Sequence, residues 1–81
     1  MEKYRKKPVV IDAVQMDEKM FLNRDLLPEG VHIGFSPVTH FYVHTLEGVM
    51  DCPPKGWLIK GVKGELYFCA DDIFRMTYDK A

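Results

Sequence analysis

The chain has 81 residues, 47% hydrophobic and 28% charged. That composition places it among folded proteins, outside the disordered and collagen-like classes. Its length suits a single domain over residues 1–81, and no apolar run approaches the ~20 residues of a membrane helix. Eleven Lys and Arg against 12 Asp and Glu give a net charge of −1, which argues against a general nucleic-acid binder. A chain this short buries only roughly 60% of the surface it exposes when unfolded. A deep, water-excluded site is therefore hard to build from one copy, and a site shared between copies is easier.

The charge is unevenly spread. Residues 1–7 form a basic N-terminal arm, with Lys3, Arg5, Lys6 and Lys7 against Glu2 alone, and residues 55–63 carry Lys55, Lys60 and Lys63 with no acid. Local fields of this kind recruit anions without a global bias. Pro8 and Asp12 interrupt the first apolar stretch, so no signal peptide is expected. Cys52 and Cys69 have no CxxC spacing and read as reduced thiols of a cytoplasmic protein.

Val9–Gln15 is β-branched, follows a proline and predicts a strand. Asp17 is a good helix N-cap, and the run to Leu27 lacks Val, Ile, Thr and Gly, predicting one short helix, irregular towards its end, stopped by Pro28 and Gly30. Val31–Phe35 predicts a short strand. Thr39–Leu46 predicts the best-formed one, in which Phe41 and Val43 face the core and His40, Tyr42 and His44 face outward. Glu47-Gly48 is a turn, and Val49–Cys52 returns until Pro53-Pro54. Trp57–Lys60 and Glu65–Cys69 predict two strands joined by a hairpin over Gly61-Val62-Lys63-Gly64, with positive φ angles expected at its glycines. Asp71–Phe74 predicts one helical turn and Met76–Tyr78 a last short strand. The sum is an α+β domain. It is a small curled antiparallel β-sheet of five to seven short strands, open or partly closed like a barrel, with one short helix.

Lys3–Gln15 (KYRKKPVVIDAVQ) resembles the opening of a family of small bacteriophage and prophage proteins. So do Thr45–Met50, Trp57–Tyr67, Cys69, Asp72–Phe74 and Thr77-Tyr78. The chain departs from that pattern at Gly56, where the family carries an acidic residue, and at Phe68 and Asp71, where it carries prolines. The resemblance implies a phage accessory protein working in the host cytoplasm. It brings no enzymatic activity with it.

The candidate chemistry was weighed residue by residue. On one strand, His40 and His44 sit about 13 Å apart, too far for one ion, and His32 would have to arrive from a neighbouring strand. No metal or cofactor is therefore expected. A Cys–His nucleophile is disfavoured because Asp71 and Asp72 follow Cys69, and nearby negative charge opposes the thiolate that a nucleophile needs. No GxSxG, HExxH or P-loop motif is present, and no catalytic residue is assigned. The hairpin is the most suggestive feature, since a Gly-rich turn can present backbone N–H groups and Lys60 and Lys63 add point charges for a phosphate. Arg5 and Lys7 of the arm would join them, with Tyr42, Trp57 or Tyr67 against a base. The expectation is a non-enzymatic, homo-oligomeric protein that sequesters a small anionic, nucleotide-type ligand such as a host immune signal, with no membrane partner. The alternative is a protein–protein interaction module that inhibits or adapts a host or virion protein.

Overall fold

The computed structural model describes residues 1–5 and 7–80. Lys6, counted in the basic arm, and Ala81 lie outside the described residues. The strands are β1 (Asp12–Gln15), β2 (Val31–Gly34), β3 (His40–Thr45), β4 (Gly48–Asp51), β5 (Trp57–Lys60) and β6 (Leu66–Cys69). The helices are α1 (Lys19–Leu22) and α2 (Asp71–Thr77), with a 3-10 turn at Arg24–Leu26 after α1.

All strand pairings are antiparallel, in two three-stranded sheets of order β1-β5-β6 and β2-β3-β4. This is the small antiparallel architecture that the alternation predicts, and the sheets do not close into a barrel. Phe41 and Val43 are fully buried, as expected from their phase in β3. They join Met16, Met20, Val31, Cys52 and Leu58 in the core between the sheets, with Phe21 of α1 stacked on Phe41 at a centroid distance of 3.9 Å. The opposite face of β5, carrying the buried Ile59, is the face on which Trp57 stacks against Phe74 of α2.

Three elements differ from expectation, each for a local reason. Val9–Ile11 stays outside β1. Its would-be partner β5 ends at Lys60, opposite Asp12, and turns away. The predicted helix over 17–27 begins one residue later than the Asp17 N-cap implied: its N-cap is Glu18, with no side-chain cap bond, and Asp17 Oδ1 accepts from the Lys19 N–H at 2.9 Å in the turn that leads into it. It breaks at Asn23, whose extended backbone (φ −131°, ψ 100°) and side chain, accepting from the Asp25 N–H, offer an alternative to helical bonding. The predicted strand Met76–Tyr78 is not formed. Met76 and Thr77 continue α2, which is held by an Arg75–Asp71 ion pair one turn apart and by Phe74 on Trp57. Tertiary packing there overrides the strand propensity of Thr77 and Tyr78.

Residues 1–5 and 7–11 carry no secondary structure, and all of 1–5 and 7–10 are exposed. The radius of gyration is 14.0 Å and the longest dimension 45 Å, against about 12 Å for an ordinary domain of this length. The difference is in keeping with an arm lying outside the packed sheets. No helix among the described residues is long and apolar enough to cross a membrane.

Candidate functional site

Two places concentrate polar side chains. The first is the hairpin end of the β1-β5-β6 sheet. The arm enters β1 at Asp12, which pairs with Lys60, the last residue of β5 before the hairpin. The chain preceding β1 therefore leaves the sheet at the end that carries Lys60 and the hairpin, while Val9–Ile11 run beside Trp57 and α2. Arg5, Lys7, Lys60 and Lys63 are all exposed, and none has an ion-pair partner among the described residues, where Arg75–Asp71 is the one pair present. Of the four, Lys60 lines an open cleft of about 410 Å³, together with Asp12, Val14, Glu29, Gly30 and Leu66.

The hairpin does not offer the amide cradle that its glycines predict. The Gly61 N–H donates to the Glu65 carbonyl at 2.8 Å, the Gly64 N–H to the Gly61 carbonyl at 3.0 Å, and the Lys63 N–H to Glu65 Oε2 at 2.9 Å. Glu65 thus supplies its own carboxylate to the turn. Gly64 adopts the expected positive φ (+83°). Gly61 does not, and is instead the residue against which the Glu65 carboxylate packs, where a Cβ would overlap it. What remains for an anion is the lysine ammonium groups, not the loop backbone.

The aromatic candidates are dispersed. Trp57 is half-buried, with one face on Phe74 at 4.1 Å and its Nε1–H donated to Asp71 Oδ1 at 2.8 Å. Tyr67 is half-buried beneath α2, its hydroxyl 3.3 Å from that of Tyr78. That hydrogen bond, reinforced by burial, pushes the Tyr67 phenol up to about 12. Tyr42 lies on the outward face of the other sheet. These three side chains and the four cations are not assembled into one site by a single copy.

Asp71 is the functional-looking residue that sequence reasoning missed as an organising group. Its carboxylate accepts from Trp57, from Gln15 Nε2 at 3.5 Å and from Arg75 Nε at 2.9 Å, tying β1, β5 and α2 together. The Trp57 hydrogen bond, then Arg75, holds it below the usual carboxylate range. A carboxylate depressed in the folded state contributes stability above its unfolded pKa of about 3.9 and loses it as pH falls through the folded value. Thermal melting as a function of pH should therefore show wild type more stable than Asp71→Asn at neutral pH. The gap should close on acidification through the carboxylate range, and a gap independent of pH would remove this role. Beside α2, Val9, Val10, Ile11, Trp57, Phe74 and Tyr78 help line a further open cleft of about 480 Å³.

The second polar place is the outward face of the β2-β3-β4 sheet. His40, Tyr42 and His44 alternate along β3 as expected, and His32 arrives from β2 opposite Tyr42. Centroid distances are 5.3 Å for His32–Tyr42, 5.4 Å for His32–His44, 5.8 Å for His40–Tyr42 and 6.0 Å for Tyr42–His44. The Cys–His pair is not assembled. Cys52 points into the core, where burial and then Asp51 push its thiol up to about 11, and Cys69 belongs to the other sheet. No protein-family model, curated protein or solved structure matches this chain.

Proposed function

We propose that the protein is a non-enzymatic binding protein. It assembles as a homo-oligomer and captures a small anionic, nucleotide-type ligand, in the manner of a phage accessory protein that removes a host immune signal. The observation that supports this reading is that the basic arm leads into β1 at the end of the sheet that carries the hairpin lysines. Arg5 and Lys7 lead into β1 opposite Lys60, Lys63 follows on the hairpin, and none is neutralised by a described acid. One copy alone is poorly suited to hold an anion there. The adjoining cleft is open and mixes Lys60 with Asp12 and Glu29, so retention calls for cations and walls from a second copy. The arm would supply them, its described residues 1–5 and 7 being exposed.

Isothermal titration of the intact assembly against cyclic and linear nucleotides tests the proposal, with light scattering to establish the oligomer. Submicromolar binding of at least one nucleotide is expected. Lys60→Glu or Lys63→Glu should weaken it roughly 10- to 100-fold, the value of a charge-assisted hydrogen bond. A monomer in solution, or an intact oligomer that binds no nucleotide below micromolar, overturns the reading.

One observation favours the alternative, a module that inhibits or adapts a host or virion protein. Ile73 and Met76, one helical turn apart on α2, are both exposed, and an apolar helix stripe of this kind suits a protein partner. Loss of a captured protein partner on Ile73→Asp, with no nucleotide affinity in the wild type, would establish it instead.

A further inference from the structure

We propose that His32 and His44 form a surface site for a borderline divalent cation of the Zn²⁺ and Ni²⁺ class. The two residues are diagonal neighbours across β2 and β3, since His32 pairs with Tyr42 and His44 lies two residues further along. Their ring centroids are 5.4 Å apart with the planes 71° apart. Two imidazoles on one tetrahedral ion, at metal–nitrogen distances of about 2.0–2.1 Å, place their ring centroids about 5 Å apart. The pair therefore stands close to a chelating separation without any movement of the strands.

Three further observations single out this pair. Both residues are exposed, and neither makes a hydrogen bond to another described residue. His40 on the same face is different, because its Nδ1 is engaged with the Val38 carbonyl at 2.8 Å. Tyr42 packs against both rings, at 5.3 Å and 6.0 Å, and limits the rotamer freedom lost on binding. Among the described residues no third His, Cys, Asp or Glu joins the pair to complete a cage. Asp51, across Tyr42 on β4, lies on the other side of β3 from His32. The remaining coordination positions belong to water or to a donor from another molecule, so the bound ion is exchangeable. Two neutral imidazoles favour Zn²⁺ or Ni²⁺ over the oxygen-seeking Mg²⁺ and Ca²⁺.

The test is a titration of the whole protein with Zn²⁺, followed through the imidazole resonances by ¹H–¹⁵N NMR, with Mg²⁺ as the comparison. The His32 and His44 signals should move together and saturate in the micromolar range while His40 stays in place, and Mg²⁺ should move none of them. His32→Ala or His44→Ala should weaken binding by at least about tenfold, the lower bound seen when even an outer-shell partner of a metal site is lost. His40→Ala should leave it unchanged. Two results overturn the site: no saturable shift of the pair at millimolar Zn²⁺, or an affinity that survives His32→Ala because the thiols bind the ion. The wild-type spectra identify the ligands directly, so the test stands even if a variant misfolds. Its outcome is separate from that of the nucleotide titration, because the two sites lie on different sheets.

Discussion

Phe41→Ala should lower the unfolding free energy by roughly 3–5 kcal/mol, the usual range for emptying a buried phenylalanine site. Phe41 is 1% exposed and sits on the central strand of its sheet, with Phe21 of α1 parallel to it at 3.9 Å. Removing the ring takes away the surface on which α1 rests and opens a cavity between helix and sheets. At roughly 0.05–0.15 kcal/mol per residue, a chain of this length has only about 4–12 kcal/mol of stability. The variant should therefore be largely unfolded at 37 °C or have a much reduced urea midpoint. Phe35→Ala is the comparison, because Phe35 is 67% exposed just beyond β2. Its unfolding free energy should change by no more than about 0.5 kcal/mol. Equal effects of the two substitutions would place the core elsewhere.

The contrast between those phenylalanines shows how much could be read in advance. Phe41 alternates with polar neighbours in a long β-rich run, and alternation alone assigns it to the buried face. The same logic placed His40, Tyr42 and His44 outward. Local signals of this kind also gave the β5–β6 hairpin. What depended on pairing between distant segments was not legible. Nothing near His32 indicates that it lands beside His44, because that follows from the β2–β3 register. Likewise, the end of β1 at Asp12 is set by where β5 stops, and the length of α2 by Phe74 reaching Trp57. The hairpin misled for a different reason. Its glycines are where a cradle would need them, but Glu65, counted only as a strand residue, occupies the Lys63 N–H. The basic residues were read individually as two clusters. That the arm leads into β1 at the hairpin end of its sheet is a property of the topology.

Gly56→Ala should cost about 3 kcal/mol, the upper part of the range for overpacking a tight site. Gly56 is buried, and a Cβ built on it would overlap the Phe68 ring. Relief by backbone movement is blocked on both sides. The Gly56 carbonyl accepts from the Met16 N–H at 2.8 Å, and the Lys55 N–H donates to the Met16 carbonyl at 2.8 Å. Phe68 must move instead, and it packs against the core cluster. The glycine omits the side chain whose space the Phe68 ring fills. A double-mutant cycle measured by urea denaturation tests this directly. Phe68→Leu alone should destabilise by leaving a gap, while Gly56→Ala in the Phe68→Leu background should cost much less than in wild type. A coupling of about 0.5–3 kcal/mol is expected for residues in contact. Strictly additive costs would mean that Gly56 is required for its own backbone and not for the ring it accommodates.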